Sequence, residues 1–307
     1  MACNLARELP RPLAFVFSGG ANLGSVQVGM LKALLDAGLY PDFVVGASVG
    51  ALNAALIANH GLEAGAAILE TIWQGVRRQD IFPGGAWSQA WHLLRSRTHL
   101  HPNNGLTALI CRWLTVTTME ELRMPLGVLA TDLQRQRGML FNCGPLHPIL
   151  LASTAIPGIY PPVEIDGVAY IDGGFTSNIP LLAARRMGAQ SLVVLDVGGS
   201  CAPHEQPHHI AEMVVTAIRA SLRTRVLLEI PAVAAETPVL YLPSPCLETN
   251  PLLDFTSSTQ LMAEAEAICR DFLSTCPTPQ IGRMVGAPHL HPEDLMCDRD
   301  APPHASD

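Results

Sequence analysis

Three short runs hold residues that could do chemistry together. The first is Gly46-Ala47-Ser48-Val49-Gly50. Small residues on both sides of one hydroxyl suit a sharp strand-to-helix turn that lifts a nucleophile clear of its own backbone. A helix beginning at Val49 would aim its positive end at that hydroxyl. The same five residues also suit a turn whose serine merely caps the helix. The second run is Ser18-Gly19-Gly20-Ala21-Asn22-Leu23-Gly24. Its glycines let backbone N–H groups converge on an anion at a helix start. That anion could be a phosphate or the oxyanion of ester hydrolysis. Adjacent Gly19 and Gly20 do not fit a GxGxxG spacing, and no Gly-Lys-Ser/Thr follows. An oxyanion fits better, because the next strand delivers a serine turn. The third run is Tyr170-Ile171-Asp172-Gly173-Gly174. It ends an apolar strand in a carboxylate and so offers a base at the sheet edge where Ser48 lies. Asp-Gly is equally a plain turn.

These runs need elements to hold them. Residues 13–18 and 43–46 read as strands buried on both faces, each followed by a helix, 25–37 and 49–59. This β-α-β-α opening predicts a parallel sheet with helices on its faces. A helix is expected over 62–78, then a loop-rich insertion over 79–104 with short helices. Strands follow at 126–130, 139–141, 168–171, 191–197 and 239–242. Further helices are expected at 146–153, 179–187, 209–228 and 255–273. Periodicity fades from Cys276, so 276–307 reads as a loose tail behind a domain over 10–275.

Taken in order, the three runs resemble the patatin-like phospholipase family. Gly29-Met30-Leu31-Lys32-Ala33-Leu34, the Ala152 to Pro157 segment with Pro161-Pro162-Val163, and Asn178-Ile179-Pro180 extend the likeness over about residues 13–200. The resemblance implies an α/β fold, a three-layer α/β/α sandwich with a mainly parallel central sheet. It implies a Ser48–Asp172 dyad without a catalytic histidine, and an oxyanion hole from the amides of Gly19, Gly20 and Ala21. Gly46 and Gly50 would shape the nucleophile elbow. No cofactor and no metal are implied. Two departures stand out. Ala21 replaces the family's third consecutive glycine, which leaves its amide usable if its φ is negative. Leu23 replaces the family's arginine, removing a cation beside developing negative charge.

A Ser-His-Asp reading, with Ser48, Asp172 or Asp196, and His204, His208 or His209, follows the α/β-hydrolase chain order. It ranks lower because those histidines sit in a proline-containing loop. Apolar residues make up 49% of the 307 and charged residues 15%, a packed globular composition. A net charge of -8 argues against nucleic acid as a partner. The eight cysteines form no CxxC pair and read as reduced thiols of a cytoplasmic protein. No signal-peptide pattern opens the chain, and the longest apolar run, Phe43 to Ala58, is shorter than the roughly 20 residues a bilayer span needs.

All four tryptophans, 73, 87, 91 and 113, fall in residues 73–113, with five arginines against one aspartate. That mixture suits a membrane interface or an acyl-binding cap in which Trp87 and Trp91 touch lipid, and equally a packed subdomain. The leading reading is a serine acyl-ester hydrolase of phospholipid, lysophospholipid or simpler lipid esters, with peripheral membrane contact. An acyltransferase on the same dyad and a non-catalytic lipid-binding protein are the alternatives.

Overall fold

The computed structural model describes residues 5–81, 103–198, 207–246 and 254–288. Its centre is an eight-stranded sheet in the order β5-β6-β3-β2-β1-β7-β8, with β4 paired to β3 off that path. The strands are β1 Leu13–Phe17, β2 Phe43–Ala47, β3 Leu126–Asp132, β4 Arg137–Phe141, β5 Val163–Ile165, β6 Val168–Asp172, β7 Ser191–Leu195 and β8 Val239–Tyr241. β3, β2, β1, β7 and β8 run parallel, while β4, β6 and β5 join antiparallel. The central strands are apolar throughout because both faces are covered. In β1, Leu13, Phe15 and Phe17 enter one core, and Ala14 and Val16 the other. This is the expected three-layer sandwich.

The helices are α1 Leu5–Glu8, α2 Gly24–Asp36, α3 Val49–His60, α4 Leu62–Gly75, α5 Arg78–Ile81, α6 Asn104–Trp113, α7 Leu146–Ser153, α8 Leu181–Arg186, α9 Ile210–Ala234 and α10 Ser258–Thr275. Residues of α2, α3, α4 and α10 fill the larger core, and α8 with the end of α9 fills the other. At Gly29 an added Cβ would lie 2.1 Å from the Met262 carbonyl oxygen, so glycine is what lets α2 and α10 lie in backbone contact.

Three expectations need correction. α9 runs to Ala234, past Pro231, rather than stopping at 228; burial of Ile230, Val233 and Ala234 against the sheet outweighs the one hydrogen bond proline removes. The chain does not become loose at Cys276. Cys276 and Val285 are buried, and Val285 extends the ladder of β8, accepting from Tyr241 N at 2.8 Å and donating to Val239 O at 3.0 Å. Residues 289–307 lie outside the described residues. Cys246 is disulfide-bonded, against the expectation of reduced thiols. Of the free cysteines described, Cys269 and Cys276 are buried and Cys111 and Cys143 exposed. Among the described residues no helix is long and apolar enough to cross a membrane. α6 and β5 are elements the sequence reading did not separate from loop.

Candidate active site

Ser48 stands between β2 and α3 with φ 54° and ψ −131°, a region side chains rarely occupy. The turn closes only because its flanks lack side chains. A Cβ on Gly46 would meet the Gly50 carbonyl carbon and oxygen at 2.5 Å, and one on Gly50 would meet Ser18 O at 2.4 Å. Ser153, at the end of α7, steadies the strain. Its Oγ accepts from Ser48 N at 3.0 Å and donates to Leu129 O at 2.6 Å.

Ser48 Oγ donates to Asp172 Oδ2 at 2.6 Å, and Gly174 N donates to Asp172 Oδ1 at 2.7 Å. Both side chains are buried. The route to this pairing differs from the sequence argument, which put Asp172 at the C-terminal edge of a parallel sheet. β6 is antiparallel to β3, but its last residue pairs with Ala130 while Ala47 pairs with Leu129. The register therefore brings Asp172 level with the end of β2 from the opposite direction. Gly173 permits the approach, since a Cβ there would sit 2.0 Å from Leu129 O. Burial pushes the Asp172 carboxyl up to about 6, while the bonds from Ser48 and Gly174 pull it down.

The glycine turn abuts this pair. A Cβ on Gly19 would lie 3.1 Å from Ser48 Cβ, and one on Gly20 2.2 Å from Val197 Cγ2. The Gly19 N–H is already donated to Asn178 O at 3.0 Å. The Gly20 and Ala21 N–H groups have no acceptor among the described residues. Ala21 has φ +50°, not the negative value expected, so its methyl group is carried in the left-handed region at a cost of about 1 kcal/mol. A 3-10 turn over Ala21–Leu23 then feeds α2. Leu23 packs on the core.

A buried polar chain lies beneath the turn. Trp73 Nε1 donates to Asn53 Oδ1 at 3.2 Å. Asn53 Nδ2 donates to Gly24 O at 2.9 Å and Gln27 Oε1 at 2.8 Å. Gln27 Nε2 donates to Ser18 O at 2.9 Å and Leu195 O at 3.0 Å. Neither Asn53 nor Gln27 stood out in the sequence as a site residue; amides inside strongly apolar helices were the available signal.

Ser48 opens into a cavity of about 620 Å³. Its walls are mostly hydrocarbon: Leu52, Leu56, Leu69, Ile72 and Trp73 from α3 and α4, Leu106, Ile110 and Trp113 from α6, and Val214, Ile218 and Leu222 from α9. Phe255 closes another side, its ring stacked 6.2 Å from that of Trp73. Two of the four clustered tryptophans thus line the cavity, while Trp87 and Trp91 lie outside the described residues. The α9 contribution was not foreseen, although Val214, Ile218 and Leu222 repeat every four residues, the spacing of one helical face.

The triad alternative finds no geometric support. Asp196 accepts the Tyr241 hydroxyl. His208 and His209 are exposed at the start of α9, where their backbone N–H groups donate to Glu212. His204 lies outside the described residues. Among the described residues no group of three His, Cys, Asp or Glu side chains is placed to hold a metal ion.

The chain is 29% identical over 197 residues to patatin-like phospholipase domain-containing protein 7 of Rattus norvegicus, covering 63% of this chain and 14% of that protein. Neuropathy target esterase sws of Drosophila melanogaster is 28% identical over 197 residues, 63% of this chain and 13% of the relative. Lysophospholipase nte1 of Aspergillus terreus is 26% identical over 195 residues, 63% and 12%. The chain thus spans about one seventh of the length of these relatives. Among solved structures, VipD from Legionella pneumophila aligns with a TM-score of 0.44 at 14% identity, over 86% of this chain and 67% of that one. The family model for patatin-like phospholipases matches residues 15–185, more than half of the chain. With its serine turn, glycine turn and Asp-Gly-Gly strand end all inside that match, the chain belongs to the patatin-like phospholipase family.

Proposed function

We propose that this chain is a serine acyl-ester hydrolase of phospholipid-type substrates. The observation that carries the reading is the 2.6 Å bond from Ser48 Oγ to Asp172 Oδ2 at the edge of an apolar cavity. In this reading the acyl chain lies in the cavity and presents its carbonyl to Ser48. Ser48 Oγ bonds to the carbonyl carbon as its proton passes to Asp172 Oδ2. The tetrahedral oxyanion is held by the N–H groups of Gly20 and Ala21, with the start of α3 adding its dipole. Gly19 then shapes the turn and is no donor, since its N–H is taken by Asn178 O. Collapse expels the alcohol, which takes the proton from Asp172, and leaves an acyl ester on Ser48. Water attacks that ester, gives a proton to Asp172, and the acid departs as the proton returns to Ser48. A carboxyl held near 6 suits a base that must both accept and return a proton near neutrality. The relative from Aspergillus terreus, named a lysophospholipase, supports the substrate class.

The test compares wild type, Ser48→Ala and Asp172→Asn against a fluorophosphonate probe and p-nitrophenyl esters of short and long acyl chains. Wild type alone should label and turn over fully, with a preference for long chains. Equal labelling of wild type and Ser48→Ala would sink the nucleophile assignment. Wild type that labels but hydrolyses nothing would favour transfer to another acceptor.

A further inference from the structure

The cavity beside Ser48 has one charged side chain among its described lining, Arg219 of α9. Around it the walls are aliphatic and aromatic, with a few neutral polar groups such as Asn22 and Thr154. Among the described residues no aspartate or glutamate lines the cavity to neutralise this guanidinium. Its own helix does not neutralise it either. Residues three and four positions away are Val215, Thr216, Leu222 and Arg223, three of them uncharged and the fourth another cation. The next acid toward the helix start, Glu212, accepts from His208 N at 2.8 Å and His209 N at 3.3 Å. Arg219 pairs with no acid among the described residues and is exposed. The cavity therefore has an apolar interior and a water-facing cation at its edge. The glycine turn, Ala21-Asn22-Leu23, brings no charge of its own.

Such a division matches an amphiphile with an anion at one end. We propose that Arg219 is a specificity-determining residue that reads the phosphate of a glycerolipid whose acyl chain fills the cavity. The inference rests on the hydrolase reading for its biological meaning, but not for its test. The guanidinium presents a planar fork of donors to two phosphate oxygens, which a neutral glycerol headgroup does not offer. The preference is for charge at the headgroup, independent of chain length, and it weakens as ionic strength rises.

The test uses two lipids that differ only in that group, 1-palmitoyl-lysophosphatidic acid and 1-palmitoylglycerol, in the same neutral detergent. Binding is measured on the Ser48→Ala protein, so recognition is separated from turnover. The phosphate lipid should bind on the order of tenfold more tightly than the neutral one, the size of effect expected for a charge-assisted contact. Adding Arg219→Ala should erase that ratio, Arg219→Glu should invert it, and Arg219→Lys should restore part of it. The wild-type and Arg219→Ala proteins are then compared for kcat/KM on both lipids, and the same ratio should collapse. A ratio unchanged by Arg219→Ala, or an equal fall on both lipids, overturns the assignment. Wild type that binds with the expected ratio but hydrolyses neither lipid overturns the hydrolase reading and leaves Arg219 as a headgroup contact.

Discussion

Asp172 carries a conflict between chemistry and folding. Its carboxyl is raised from 3.8 to about 6 chiefly by burial, so the folded chain holds that proton more tightly than the unfolded chain does. Below 3.8 the group is neutral in both states and contributes nothing to their difference. Through the window from 3.8 to 6 the unfolded state ionises first, and stability falls as pH rises. Above 6 the full cost is present, about 3 kcal/mol at 1.36 kcal/mol for each unit. Asp172→Asn should therefore be more stable than wild type at pH 8 in urea unfolding, with the gap closing by pH 4. A constant gap across that range would contradict the assigned burial cost. The same ionisation should give hydrolysis a rising limb centred near pH 6. This residue was legible in the sequence because Asp-Gly-Gly after an apolar strand is short and contiguous. Its weakened acidity was not, because burial comes from neighbours far apart in the chain. Ala130, its partner in the β3 register, sits some forty residues earlier.

At the scale of elements, the site depends on how α2, α3 and α4 lock together under the glycine turn. Asn53 in α3 bonds to Gly24 O and Gln27 in α2 and accepts from Trp73 in α4. Asn53→Leu would leave the Gln27 Oε1 and Trp73 Nε1 atoms without their Asn53 partner, each costing about 1–3 kcal/mol, and would leave Gly24 O with its helical bond alone. The variant should lose several kcal/mol by that count, as a lower urea midpoint with unchanged slope. Residual activity should fall further than stability explains, since Gly24 begins the helix behind the glycine turn that abuts Ser48. The elements themselves were mostly readable. Continuous apolar runs between glycine turns marked β1, β2 and β7, and helical spacing marked α2, α3 and α10. α6 was within reach of the sequence, since Leu106, Leu109, Ile110 and Trp113 stand at the spacing of one helical face, and it escaped beside the proline- and glycine-containing stretch that precedes it. β5 escaped because three residues give no alternation to count. The antiparallel sense of β6 is set by its partners in β3 and β5, which local sequence does not encode.

At the scale of the whole molecule, the fold does not end with the last long helix. Val285 bonds on both sides to β8, and a Cβ at Gly286 would lie 1.9 Å from Tyr241 O, so the chain after α10 covers an otherwise open sheet edge. A chain cut after residue 275 should melt lower and aggregate more readily than one cut after residue 288, in thermal unfolding with light scattering. Equal behaviour would mean that this edge needs no cover. The cavity has a consequence of another kind. Its walls touch hydrocarbon, and the hydrocarbon of an ester and of the acid it yields is the same. Each further buried methylene strengthens retention of either by about 0.8 kcal/mol, close to fourfold. On the proposed chemistry, long chains are cleaved into a product that has little reason to leave. The pace of the cycle is then set by whatever takes the acid away, so that a bilayer or a fatty-acid carrier nearby acts as an accelerator without touching Ser48.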